Sequence, residues 1–165
     1  MPLEQVAHHL QLEANRRRAN ADGDLFARTA YNRYYYAVFL CARNLLTTLN
    51  TDWSNMAHAS YPGVLKGAVK DDIDRGKQKA KKIKDYDLTN LCSRATNALF
   101  ELAEIMSKGN ATRIVADYHP EIQIDFLSSA RFQLNNIDIT EAHQWPDKAR
   151  LLISIIQEAW NQTHV

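Results

Sequence analysis

Arg113 and His119 are the residues of this chain best suited to act together on a phosphodiester, with five residues between them. An arginine offers a permanent cation whose several N–H donors fit a phosphate. A histidine titrates near neutrality and can take up or release a proton. Such a pair can cleave RNA without a metal. The histidine assists attack of the ribose 2′-hydroxyl on its own phosphodiester, and the arginine stabilises the charge that develops. Arginine–histidine pairs at this spacing also recur by chance, so the pair alone does not select a ribonuclease. Other chemistry is sparse: the chain has no glycine-rich phosphate loop, no HExxH zinc helix and no nucleophile elbow. His8 and His9 are neighbours, but adjacent residues on a helix point in different directions. A metal ion shared by those two is not expected, and neither a metal nor a cofactor is predicted.

Two further stretches could contact nucleic acid. The run Arg75–Lys84, RGKQKAKKIK, holds six basic residues in ten. Lys77, Lys79, Lys81, Lys82 and Lys84 could neutralise phosphates and release counterions, or form an ordinary solvated face. The aromatic stretch Tyr31–Tyr36 could stack bases, or serve as the core face of a central helix. Arg33 stands among these aromatics, so it should be paired or sit at a functional cleft.

The elements that carry these residues read as helices. Five glycines and four prolines in 165 residues fall below the average combined usage of about 12%. A sandwich or barrel needs many more turns. The composition, 45% apolar and 24% charged, is that of an ordinary globular chain long enough for its own core. A net charge of +1 names no partner by itself, since a basic surface would have to arise by local segregation. Leu3, Val6, Ala7, Leu10 and Ala14 recur at helical spacing and predict a first helix over 3–20. A long central helix is expected over 24–48 and a shorter one over 62–72. The basic run is then expected to form a mobile connection or an exposed helical turn. A helix over 88–108 ends at Gly109-Asn110, a good C-terminal signal. Pro120 and Glu121 suit the start of a fifth helix reaching Asn135, and a last helix begins near Thr140 or Pro146. The expected fold is all-α: one domain over 1–165, an antiparallel up-and-down bundle of five to six helices. Cys41 and Cys92 read as isolated reduced thiols of a cytoplasmic protein. The polar N-terminal stretch does not resemble a signal peptide, and no run is long enough to span a membrane, so no membrane partner is expected.

Taken in order, three segments resemble the HEPN family of small all-helical domains. Asn32–Leu46, NRYYYAVFLCARNLL, is similar to the family helix Arg–x–Tyr–Tyr–Ala–x–Phe–His–x–Ala–Arg–x–Leu–Leu, with Leu40 in place of its histidine. His58–Val64 resembles the His–x–Gly–Val segment that follows, with two extra residues. Arg113–Pro120, RIVADYHP, resembles the Arg–x–x–Ala–Asp–Tyr–x–Pro segment before the penultimate helix. Ile114 stands where toxin-type members usually have asparagine, and His119 follows Tyr118 instead of preceding it. The resemblance covers about residues 1 to 160. It implies a helical bundle that dimerises through its catalytic face, and for many members a metal-independent endoribonuclease of toxin–antitoxin or antiviral defence systems. Arg113 would then hold phosphate and His119 move the proton. Arg33 and His58 would complete the cleft, and Lys77–Lys84 would steer RNA. Asp117 and Tyr118 would support the pair, with Asp117 orienting the histidine or repelling phosphate. The implied partners are RNA, a second copy of the chain, and a cognate antitoxin or defence-system protein. Some family members are noncatalytic, which leaves open a protein-interaction or dimerisation subunit of a larger assembly.

Overall fold

The computed structural model describes residues 2–165. The chain is an all-α helical bundle with one small three-stranded antiparallel sheet, ordered β1-β2-β3. Two compact units are distinguished. One runs to Leu40 and resumes over Lys108–Asp147; the other comprises Cys41–Ser107 and Lys148–Val165.

In the first unit, α1 (Leu3–Arg16) buries Ala7 and Ala14 and stops short of the expected Asn20. Glu13 gathers two guanidinium groups at this end. Arg16 bonds it directly, and Arg17 donates to it at 2.5 Å while also reaching Asp22 at 2.6 Å. The hydrogen bonds from Arg16 and then Arg17 hold the Glu13 carboxyl down at about 2, against an ordinary value of 4.5. Because folding lowers this pKa, the stabilisation is complete above the ordinary value and is lost as the pH falls toward about 2. Denaturation midpoints between neutral and strongly acidic pH should therefore fall further for the wild type than for Glu13→Gln. Equal losses would contradict the pairing.

Helix α2 (Asp22–Leu49) is the expected central helix. Within the first unit it buries Ala27, Ala30, Tyr31, Tyr34, Tyr35, Ala37 and Val38 around most of its circumference. Its start absorbs Asp22-Gly23-Asp24, which the sequence suggests as a break. A Cβ on Gly23 would strike the Arg17 carbonyl, so glycine allows the chain to pass close there.

Helix α5 (Tyr86–Tyr118) corrects a larger expectation. It runs 33 residues, about 50 Å at helical rise, and passes straight through Gly109-Asn110. Gly109 does not have positive φ. A Cβ there would lie 2.7 Å from Tyr35 Cδ1, so this glycine serves close packing, not termination. The helix stops just before His119-Pro120, and Arg28 caps it. This arginine is 7% exposed. It donates to the carbonyls of Val115 and Ala116 at 3.3 Å, His119 at 3.2 Å, and Ile122, and its Nε pairs with Asp24 at 2.5 Å.

The expected fifth helix over 120–135 is absent. In its place stand β1 (Asp125–Phe126), β2 (Phe132–Leu134) and β3 (Ile137–Asp138). The reason is turn chemistry. Asn135 and Asn136 both adopt left-handed φ, 53° and 61°, and join Leu134 to Ile137 in a two-residue hairpin. Ser129 and Ala130 also adopt left-handed φ, 61° and 56°, within the longer five-residue connection between β1 and β2. Buried Tyr31 locks the sheet to α2 by donating its hydroxyl to the Ile137 carbonyl at 2.6 Å, and burial pushes its phenol well above the ordinary range. Asp138 caps α6 (Ile139–Thr163) through the Thr140 amide, 2.9 Å. Pro146 lies inside this helix, not at its start.

In the second unit, α2 continues with Ala42, Leu45 and Leu46 in the core. Helix α3 (Tyr61–Val64), a π turn (Leu65–Val69) and α4 (Lys70–Lys82) follow without a break. Of the two forms expected for the basic run it takes the helical one, most of it lying within α4. Ile73, Gly76 and Ala80 form its buried stripe. Lys70–Asp74 at 2.6 Å and Arg75–Asp72 at 3.2 Å brace its surface. Lys84, at φ 58°, ends it. Cys92 is buried, which raises its thiol pKa, and Cys41 is half-buried; neither forms a disulfide.

Candidate functional site

The residues singled out for chemistry near the end of α5 lie in the first unit, where α2 and α5 pack together. Arg113 is 14% exposed. Its Nη2 donates to Asn110 Oδ1 at 2.9 Å, and its Nη1 lies 3.7 Å from Asp117 Oδ2. Its guanidinium carbon sits 5.8 Å from the centre of the Tyr35 ring, within cation–π range. The remaining Nε is buried with no hydrogen-bond partner among the described residues. Asp117 is held from the other side by Asn32, whose amide nitrogen lies 3.0 and 3.2 Å from its two oxygens. Asn32, Asp117, Arg113 and Asn110 thus form one polar chain across α2 and α5.

His119 stands just beyond α5, its backbone amide bonded to the Val115 carbonyl. Its Nδ1 lies 2.9 Å from Glu121 Oε1. The Glu121 carboxyl is shifted down, first by its own backbone amide and then by this imidazole. Six positions at helical pitch turn through about 240° and rise about 9 Å. Arg113 and His119 consequently leave the helix end in different directions. Among the described residues no hydrogen bond or ion pair joins them. They form two separate acid–base pairs, Arg113–Asp117 and His119–Glu121.

The other candidates fall as follows. Arg33 is exposed on α2 and carries no ion pair among the described residues, so the aromatics around it do not bury its charge. Tyr118 is 68% exposed at the end of α5. In the second unit, His58 opens a short 3-10 turn, His58–Ser60. Lys77 is half-exposed on α4, while Lys79, Lys81, Lys82 and Lys84 are exposed on it or just past its end. Three residues that organise the site were not singled out in the sequence. Asn110 stands three positions before Arg113 and Glu121 two after His119, so both were within reach of local spacing. Asn32 was not, because its bond to Asp117 spans 85 positions.

The arrangement can do two things. Arg113 presents a cation already held against a carboxylate, and His119 presents an imidazole beside a carboxylate on an exposed loop. Among the described residues no three His, Cys, Asp or Glu side chains gather to hold a metal ion, and no helix is long and apolar enough to cross a membrane. Compared with family models, curated proteins and solved structures, the chain matches none.

Proposed function

We propose that this chain is a HEPN-type protein that acts on RNA in the cytoplasm, as the metal-independent RNA-cleaving or RNA-binding component of a toxin–antitoxin or antiviral defence system. One observation carries the reading. The two segments on which the resemblance chiefly rests meet in space: Asn32 bonds Asp117, and Arg113 lies over Tyr35. Leu25, Thr29, Asn32 and Arg33 share one face of α2 at helical spacing, and Ile114, Asp117 and Tyr118 share one of α5. Leu25, Ile114 and Tyr118 are 64%, 37% and 68% exposed on those faces. A second copy of the chain docking here would cover them and bring two Arg113 side chains to one cleft. A cognate antitoxin or defence-system protein would restrain that dimer, and the lysines of α4 would steer RNA.

The engagement of Arg113 by Asp117 favours a second reading, a noncatalytic HEPN module serving as an interaction or dimerisation subunit. Expression of the wild type and of Arg113→Ala in growing cells separates the two. The first reading, in its RNA-cleaving form, predicts RNA fragmentation and growth arrest with the wild type, and intact RNA with Arg113→Ala. Intact RNA and equal growth in both, with RNA bound by the purified protein, would favour the noncatalytic module. No RNA binding at all would overturn the RNA assignment.

A further inference from the structure

His8 and His9 turn out to differ in their surroundings. His8, on α1, lies against His143, on α6, with ring centroids 5.0 Å apart and planes tilted by 55°. Both side chains are exposed. Tyr34, fully buried on α2, reaches the second of them: its hydroxyl lies 2.6 Å from Gln11 Oε1 and 2.8 Å from His143 Nδ1. The amide carbonyl can only accept, so the single phenol proton goes to Gln11. His143 Nδ1 must then carry a proton and donate it to the phenol oxygen. The neutral imidazole is fixed as one tautomer, with its lone pair on Nε2. Metal-binding histidines are held in this way, one nitrogen anchored to the protein and the other left for the ion.

The ring spacing fits the same purpose. A nitrogen–zinc bond is about 2.0–2.1 Å and the ring centre lies about 1.2 Å behind the nitrogen, so two imidazoles on one ion have centres roughly 5 Å apart. We infer that His8 and His143 form a two-imidazole site for a transition-metal cation of the zinc or nickel class, with Tyr34 as its positioning residue. Imidazole suits these ions. No third side-chain ligand joins the pair among the described residues, so water completes the coordination and the site is open. A bound ion would link α1 to the start of α6 and stabilise the fold by mass action. None of this depends on the RNA reading.

The test is calorimetric titration of the full chain with Ni²⁺ or Zn²⁺, alongside circular dichroism to confirm folding. His8→Ala and His143→Ala should each raise Kd by at least about tenfold, and Tyr34→Phe by about tenfold through loss of the anchored tautomer. His9→Ala should bind as the wild type does. The metal should raise the thermal midpoint of the wild type and of His9→Ala, and not that of His143→Ala. Wild-type affinity in His143→Ala, an equal loss in His9→Ala and His8→Ala, or no binding by the wild type would each overturn the site.

Discussion

Arg28→Ala is expected to be the most destabilising single substitution in the first unit, at about 3 kcal/mol. Its guanidinium serves several carbonyls at the end of α5 at once and pairs with Asp24. Removing it leaves those carbonyls without their donor in a buried place. Hydrogen bonds to a charged group contribute about 1.5–3 kcal/mol, and breaking a buried pair from one side costs about 3–5 kcal/mol. Asp24 is 41% exposed and can recover water, which sets the figure at the lower end. At about 2–4 °C per kcal/mol for a chain of this size, the thermal midpoint should fall by roughly 10 °C. Arg28→Lys should recover only part of this, because an ammonium cannot span so many acceptors. A midpoint within 2 °C of wild type, on the order of 0.5 kcal/mol, would show that the helix end holds without the arginine.

The second large effect is expected at Gly109. Alanine is the better helix former by about 1 kcal/mol, so an exposed glycine in this helix would gain from the change. Here the new methyl would sit 2.7 Å from Tyr35 Cδ1, and Tyr35 is 1% exposed with no room to swing away. Overpacking of this kind costs about 1–3 kcal/mol before the helix gain is subtracted. Gly109→Ala should therefore lower stability by about 1 kcal/mol, and Gly109→Val by more. Arg113 should feel it too, because its guanidinium rests over the ring that must move. A double-mutant cycle with Tyr35→Leu gives the check: the smaller side chain should relieve most of the Gly109→Ala penalty. Additive losses would place the clash elsewhere.

These two residues also mark where sequence reading reaches its limit. Glycine ends helices and also lets helices approach, and the two uses look the same along the chain. Tyr35, far away in sequence, decides between them at Gly109. Likewise the carbonyls that need Arg28 become neighbours only after α2 and α5 pack. The all-α class was legible in the scarcity of glycine and proline, and the central helix in the apolar and aromatic residues that recur around most of the circumference from Tyr31 to Leu46. The sheet was missed for a definite reason. Ile122, Phe126 and Ala130 recur every four residues and imitate a helix. The two-residue period of Phe132 and Leu134 beside Asn135-Asn136 is the true signal. The lysine run leaves a connection and a helical turn both open in the sequence because Gly76 and Ala80 are too small to mark a stripe, yet with Ile73 they supply one. In the candidate site, the pairing of Arg113 with Asp117 is an ordinary i,i+4 contact readable in advance. The orientation of His119 away from it follows from where α5 ends, which Pro120 signals only approximately.

The central claim is that Arg113 and His119 serve an RNA-cleaving site, and incubation of purified protein with single-stranded RNA in the presence of EDTA tests it most directly. Cleavage by the wild type should persist in chelator and be lost in both Arg113→Ala and His119→Ala. The folded state of each variant is confirmed by its circular dichroism. RNA that stays intact with the wild type, or that is cut equally by folded Arg113→Ala, would contradict it.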